Sequence, residues 1–129
     1  MIGETSAIIV VILCAITSVF QFLLAIGMPL GYLAFGGKHD KKLPKNLRIM
    51  SVIAIGIFIF TSLVVLDLSG LIILFLNPFI PIIALWILAF YFALNTMTNV
   101  LSKSKWEKRI MTPLSLIMSV CCFIIVILA

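Results

Sequence analysis

The chain has 129 residues, of which 64% are hydrophobic and 10% are charged, and its formal net charge at pH 7 is +5. A soluble domain of this length cannot bury so large an apolar fraction, so the composition excludes a water-soluble globular protein. The lipid bilayer is therefore the expected solvent and partner, and no nucleic-acid partner is expected.

Four apolar stretches are long enough to cross a hydrocarbon core of about 30 Å, which takes roughly 20 helical residues. They cover residues 7–35, 49–66, 78–101 and 110–129. Barrel strands would be about half as long and would alternate in polarity. The sequence therefore predicts an all-α, polytopic membrane protein, in which residues 1–129 form a single domain of four transmembrane helices in one bundle.

The first stretch is too long for one straight crossing and contains Pro29 between Gly27 and Gly31. Because proline bends or ends a helix, two interpretations stay open: a helix that stops near this break, or one long, tilted and kinked helix. No basic segment precedes the stretch, and it is longer than the apolar part of a signal peptide, so we expect it to be retained.

The segments that connect the later apolar stretches contain residues typical of helix ends and helix starts. The apolar segment 71–76 follows Gly70 and either lies on the outer surface of the bilayer or extends the second helix. Asn77, which is followed by a proline, is typical of a helix start with Asn as the cap. Ser104 and Glu107 match a capping box, in which each side chain binds a free amide of the first turn.

All nine lysines and arginines lie in two segments, residues 38–48 and 103–109. Short cytoplasmic loops retain Lys and Arg, so both basic loops are predicted to be cytoplasmic and both termini to be extracytoplasmic. Glu4 and Asp67 then fall on the outer side, which agrees with this orientation but adds little weight, because acids contribute weakly to the rule.

Clustered basic residues beside helix ends also attract anionic lipid headgroups, at about 1 kcal/mol for each residue near the surface. The alternative is that these residues only set the topology, and the two interpretations are compatible. The candidate headgroup-binding residues are Lys38, His39, Lys41, Lys42, Lys45, Arg48, Lys103, Lys105, Lys108 and Arg109.

Few polar side chains lie within the apolar stretches. On the third stretch they recur at intervals of three and four, which places them on one helix face toward the cytoplasmic end, and polar residues of the first and fourth stretches reach a similar depth. The candidate ligand-binding residues are Gln21, Asn95, Thr98, Asn99 and Ser115. Two interpretations stay open: interhelical hydrogen bonds, or a water-accessible or ligand-binding cleft.

The sequence contains no recognisable catalytic pattern. The only histidine, His39, has no partner at metal-ligand spacing, so no metal, no cofactor and no catalytic residue is predicted. Cys14, Cys121 and Cys122 form no Cys-x-x-Cys pair, which argues against thiol oxidoreductase chemistry. The four apolar stretches contain no acidic, basic or histidine residue, which argues against a proton-coupled transporter.

Two segments resemble small four-span membrane proteins of bacteria that have no known activity. Residues 29–39 match the pattern P-x-G-x-L-A-x-G-G-x-H, and residues 94–108 combine L-N-T-x-x-N with S-x-S-x-x-E-K. The resemblance covers under half of the chain. It implies a bacterial plasma membrane.

Three functions are compatible with these features. We expect a non-enzymatic module that binds anionic lipid headgroups or a partner protein at the cytoplasmic face. The alternative is a small transporter or channel, which would need a homo-oligomer because four helices enclose little space. The second alternative is an enzyme that acts on a lipid at the inner interface, with His39, Asn95, Asn99 and Glu107 as its polar set.

Overall fold

A computed structural model describes residues 2–34 and 42–129, with the backbone alone for Tyr32. Four α-helices follow one another along the chain: α1 at Ile2–Ala25, α2 at Lys45–Leu68, α3 at Phe79–Val100 and α4 at Lys105–Leu128. A short 3-10 helix, Gly31–Leu33, lies between α1 and α2, and the described residues contain no strand. Each long helix is apolar and long enough to span a membrane. The prediction of an all-α, multi-pass membrane protein is therefore confirmed.

Three of the helices begin several residues before the apolar stretches from which they were predicted. α1 begins at Ile2 rather than at residue 7, α2 at Lys45 rather than at 49, and α4 at Lys105 rather than at 110. Lysine, arginine and glutamate are good helix formers, so a helix can continue into a polar end turn that hydropathy alone does not reveal. The helices therefore carry ionisable residues in their end turns.

The helices pack as two neighbouring pairs. α1 packs closely against α2, and α3 packs closely against α4. The pairs are joined mainly by contacts between α1 and α4, whereas α2 and α3 pack less closely. We call the end at which α1 and α3 finish and α2 and α4 begin the basic end, because both segments that contain lysine and arginine adjoin it.

The core lies along the middle of the bundle and receives side chains from all four helices. Phe58 of α2 and Phe92 of α3 stack there, with ring centroids 6.1 Å apart. The three cysteines are free thiols buried in the same cluster. Many large apolar side chains on the outer faces are exposed, which is expected where lipid rather than water covers the bundle.

A glycine, rather than Pro29, ends α1. Gly27 has a φ of +95°, and the Met28 amide donates to the Leu23 carbonyl at 3.0 Å while the Gly27 amide donates to the Leu24 carbonyl at 3.1 Å. This pair of bonds is the Schellman motif, which closes a helix at a residue in the left-handed conformation. The first span is thus a helix followed by a break, and not one kinked helix.

The second helix ends in the same way, at Gly70. Gly70 has a φ of +84°, and the Leu71 amide donates to the Leu66 carbonyl at 3.0 Å. Of the two alternatives for segment 71–76, extension of α2 is therefore excluded, since that segment is irregular. One carboxylate oxygen of Asp67 holds the segment by accepting hydrogen bonds from the amides of Leu74 at 2.8 Å and Phe75 at 2.7 Å.

The caps of α3 and α4 follow the sequence signals in part. Asn77 accepts a hydrogen bond from the Phe79 amide at 3.0 Å, and Ser104 accepts one from the Glu107 amide at 3.3 Å. The second half of the predicted capping box is wrong. The Ser104 amide donates to the Ser102 hydroxyl at 3.0 Å instead, which leaves the Glu107 carboxylate free to point elsewhere.

Candidate functional site at the basic end

A cavity of about 390 Å³ lies between the helices in the half of the bundle nearer the basic end. All four helices and the 3-10 helix line it. Its apolar wall includes Phe20, Ile57, Phe58 and Met118. Its polar residues are Thr17, Gln21, Tyr91, Asn95, Thr98, Asn99, Glu107 and Ser115. This volume falls within the range of pockets that hold small organic molecules.

The structure brings all five candidate ligand-binding residues to this cavity. Gln21 comes from α1, Asn95, Thr98 and Asn99 come from α3, and Ser115 comes from α4. Their spacing along each helix is what places them at one depth and on converging faces. The side chains nevertheless differ in what they can still bind, because several already make hydrogen bonds within the protein.

Ser115 belongs to the contact between α3 and α4. Its hydroxyl accepts hydrogen bonds from Asn99 Nδ2 at 3.1 Å and from Thr96 Oγ1 at 3.0 Å, and it donates to the Met111 carbonyl at 2.8 Å. A hydroxyl has one hydrogen and two lone pairs, so the Ser115 hydrogen and one lone pair are used, and the second lone pair shares the Thr96 hydrogen with the Phe92 carbonyl, 2.9 Å from Thr96 Oγ1. Ser115 therefore joins the helices and has little capacity left for a ligand.

Asn99 and Thr98 have also used their hydrogens. The Asn99 amide group donates to the Met111 carbonyl at 3.2 Å as well as to Ser115, and Thr98 donates to the carbonyl of Asn95 at 2.8 Å. What each side chain still offers is oxygen lone pairs, which are acceptors. Asn95 has no side-chain hydrogen bond to another described residue, so its whole amide group is available.

Thr96 was not among the predicted site residues, although its hydroxyl reaches Ser115 across the contact between α3 and α4. It lies beside the polar face formed by Asn95 and Asn99 rather than on it. Ser119, one turn beyond Ser115, donates to the Ala89 carbonyl of α3 at 3.0 Å. The interhelical interpretation therefore describes the α3 and α4 side of the cavity, where polar groups bind one another.

Glu107 is the functional candidate that the sequence analysis placed wrongly. Only 3% of its surface is exposed, and it lines the cavity from the first turn of α4. Among the described residues, no hydrogen bond or ion pair reaches its carboxylate. The helix begins five residues before the apolar stretch, so this acid lies outside the four apolar stretches and still lines the interior of the bundle.

Gln21 provides a second polar atom without a partner. Its Oε1 is buried and makes no hydrogen bond, although the residue lines the cavity. Thr112 Oγ1 is also buried without a hydrogen-bond partner, but Thr112 does not line the cavity. A buried polar group without a partner costs about 1–3 kcal/mol, so such atoms mark places where a ligand or water can bind favourably.

The exposed residues of the described cavity wall lie on α2 and α3, and we infer that the cavity opens between these helices. The exposed residues of its wall are Met50 and Ile53 of α2 and Tyr91 and Thr98 of α3. The walls formed by α1 and α4 are half-buried or buried. These exposed residues belong to the less closely packed pair of helices, which favours an entrance on the flank of the bundle.

The predicted headgroup-binding residues fall into two groups where the structure describes them. Arg48 is half-buried, and its Nε donates to the Ala25 carbonyl at 2.9 Å, which satisfies a carbonyl at the end of α1. Lys38, His39 and Lys41 lie outside the described residues. The remaining basic side chains are exposed, namely Lys42, Lys45, Lys103, Lys105, Lys108 and Arg109.

Over the described ranges, no group of three or more His, Cys, Asp or Glu residues is arranged to hold a metal ion. Comparisons with protein-family models, with curated proteins and with solved structures found no match to the chain. The resemblance of residues 29–39 and 94–108 to bacterial four-span proteins therefore stays a prediction. The site has to be interpreted from its own geometry.

Proposed function

We propose that this protein is a non-enzymatic membrane module that binds a lipid or a lipid-like amphiphile at its basic end. The observation that carries the proposal is the cavity that opens between α2 and α3. A molecule dissolved in the bilayer can enter through such an opening without crossing water. The wall combines an aromatic and aliphatic part with a polar part, which matches the two ends of an amphiphile.

The interior of the bundle supports binding rather than conduction by a single chain. Beyond the cavity, Val64 of α2, Leu85 of α3 and Ile125 of α4 are buried in a continuous apolar core. A pathway for ions or polar solutes would have to pass through this packed core. We therefore favour binding over the transporter or channel alternative.

The orientation forms part of the proposal. We propose that the basic end, and with it the cavity, faces the cytoplasm with both termini outside, which the two basic segments support. The resemblance to bacterial four-span proteins supports a bacterial plasma membrane. The bound molecule would then come from the inner leaflet. Phospholipids with anionic or amine-bearing headgroups are the abundant amphiphiles available to such a site.

Filling the cavity tests the proposal directly. Ala54 lines the cavity from α2, so Ala54→Phe places a ring inside it, whereas Ala15 is an exposed alanine of α1 outside the cavity wall and Ala15→Phe is the matched control. Native mass spectrometry of the purified protein in detergent counts the lipids that remain bound. We expect wild type and Ala15→Phe to retain lipid and Ala54→Phe to lose most of it. Equal retention by all three would contradict the proposal.

A second surface is available at the same end of the bundle. Lys103, Lys105 and Lys108 are exposed, and no ion pair joins any of them to another residue that the structure describes. We propose that they attract anionic headgroups to the outside of the bundle, since each basic residue near a charged membrane contributes about 1 kcal/mol.

This second binding mode has its own test. In nanodiscs that contain phosphatidylglycerol and phosphatidylcholine, the protein should be enriched in phosphatidylglycerol. Replacing Lys103, Lys105 and Lys108 by Gln should remove this preference, and added salt should weaken it. The matched control replaces the same lysines by Arg, which keeps the charge. An unchanged preference in the Gln variant would count against a role for these lysines.

A further inference from the structure

We infer that the cavity selects an amphiphile that carries a positively charged ammonium group, with Glu107 as the counter-ion. This inference rests on the proposed function, because it names the class of molecule that the same cavity binds. Glu107 is the starting point: its side chain is almost completely buried, lines the cavity and has no partner among the described residues.

No described residue of the cavity wall carries a charge opposite to that of Glu107. Among the described residues that line the cavity there is no lysine or arginine, and Glu107 is the only acid. The exposed lysines of the basic end lie outside the wall. A carboxylate on a side chain this buried, without a partner among the described residues, is costly, so a cation that enters the cavity gains a favourable interaction there.

The neighbouring polar groups select a cation that donates hydrogen bonds. Gln21 Oε1 is a buried acceptor without a partner. Asn99 has used both hydrogens of its amide group on α4, and Thr98 has used its hydroxyl hydrogen on α3, so both present only acceptor atoms. These acceptors and the one negative charge favour the N–H groups of an ammonium ion over a phosphate or a carboxylate, while the free amide groups of Asn95 and Gln21 can bind an uncharged polar part of the same molecule.

The position of Glu107 fits a cation held at the membrane interface. Glu107 lies in the first turn of α4, next to the exposed Trp106, a residue type that favours the headgroup region. The apolar wall at Phe58 and Met118 lies farther from the basic end and is available for an alkyl chain. A long-chain amine and the aminoethyl headgroup of phosphatidylethanolamine share the required chemistry.

The test compares two amphiphiles with alkyl chains of the same length, the charged decylamine and the neutral decanol. Full-length protein in maltoside micelles is titrated with decylamine or with decanol, and its thermal unfolding is followed by circular dichroism. Binding to the folded state raises the Tm in proportion to the logarithm of ligand concentration above the Kd. The variants are Glu107→Gln, which removes the charge with little change of shape, Gln21→Leu, and the control Glu4→Gln at the opposite end.

We expect decylamine to raise the Tm of wild type and of Glu4→Gln more than decanol does. Glu107→Gln should bind decylamine roughly tenfold to a hundredfold more weakly, as expected for loss of a charged hydrogen bond, and Gln21→Leu should also bind it more weakly. Equal decylamine binding by wild type and Glu107→Gln would overturn the inference. If decylamine and decanol bind equally and Ala54→Phe abolishes both, the cavity binds amphiphiles but the ammonium selectivity is wrong.

A second experiment distinguishes two sources of the ammonium group, a membrane phospholipid and a free hydrophobic amine. Wild type and Glu107→Gln are reconstituted in vesicles of phosphatidylethanolamine and phosphatidylcholine, extracted, and analysed for retained lipid. Preferential retention of phosphatidylethanolamine by wild type alone supports the inference and identifies a membrane lipid. Selective decylamine binding without that retention supports the inference and identifies a hydrophobic amine from another source.

Discussion

Asn99 of α3 donates a hydrogen bond from its side-chain nitrogen to the hydroxyl of Ser115 of α4, at 3.1 Å. The same amide group also reaches the Met111 carbonyl, so one side chain holds two positions of the neighbouring helix. Interhelical hydrogen bonds in membrane proteins contribute about 0.6 kcal/mol on average, and up to about 1.7 kcal/mol. Two such bonds from one residue make Asn99 important for the packing of α3 against α4.

Asn99→Leu should therefore lower the free energy of unfolding by about 1–2 kcal/mol, because it removes both bonds. Unfolding in mixed micelles, followed by circular dichroism, measures the change. Asn46→Leu, at an exposed position in the first turn of α2, is the matched control and should change stability by less than about 0.5 kcal/mol. Similar losses in the two variants would show that the hydrogen bonds to α4 are not the cause.

Gly27→Ala should destabilise the protein, since Gly27 combines a left-handed backbone with close neighbours. Its φ is +95°, and an added Cβ would lie 3.0 Å from Lys42 Cε. The backbone conformation alone costs a non-glycine residue roughly 1–2 kcal/mol. Thermal unfolding of the purified variant measures the loss.

Gly56→Ala is the control for Gly27→Ala in the same thermal unfolding experiment, and we expect it not to lower the stability. Gly56 lies within α2, and an added Cβ would meet no atom within 4 Å. Alanine is the better helix former by about 1 kcal/mol, so this variant should match or exceed the stability of wild type. The prediction for Gly27 fails if the two alanine variants unfold at the same temperature.

Arg48→Gln should affect stability more than lipid binding. The Arg48 side chain donates to the Ala25 carbonyl at 2.9 Å and brings a positive charge to the C-terminus of α1, where the helix dipole is negative. Loss of a charged hydrogen bond costs about 1.5–3 kcal/mol. Arg109→Gln, at an exposed site, should leave the free energy of unfolding nearly unchanged. An equal effect of both substitutions would indicate that Arg48 acts only through the net charge.

The predicted orientation can be tested with single cysteines at the two ends of the bundle. Leu76 is 97% exposed near the end opposite the basic end, and Lys103 is exposed at the basic end. A membrane-impermeant maleimide applied to intact cells should label Leu76→Cys and should label Lys103→Cys only after lysis. The native cysteines are buried, which keeps their labelling low. Labelling of Lys103→Cys alone in intact cells would reverse the orientation.

Hydropathy was sufficient to predict the four helices, because a bilayer requires long apolar runs whose backbone groups bind one another. It missed the starts of α2 and α4, where Lys45 and Lys105 continue the helix outside the apolar stretch. The positions of the breaks followed from local chemistry. Gly27 and Gly70 close their helices through the left-handed conformation, which a proline in the same region obscured at the first site.

The spacing of polar residues predicted which side chains lie close together, but not which hydrogen bonds their donor and acceptor atoms form. Gln21, Asn95 and Asn99 do share one cavity. Whether Ser115 is free or saturated depends on Thr96, which no single-helix pattern connects to it. The position of Glu107 depends on which side chain binds the Ser104 amide. In the folded chain the Ser102 hydroxyl binds that amide, and the Glu107 carboxylate does not. Such outcomes require three-dimensional contacts between helices and loops.

The attachment of segment 71–76 to Asp67 has a consequence for how deeply the protein sits in the membrane. Ile73 is 92% exposed, and the two hydrogen bonds to Asp67 prevent the segment from sliding along the axis of α2. Apolar side chains spread sideways at the end of a bundle resist both withdrawal into water and further immersion. We therefore expect the end that carries almost no charge to set how deeply the helices lie in the bilayer.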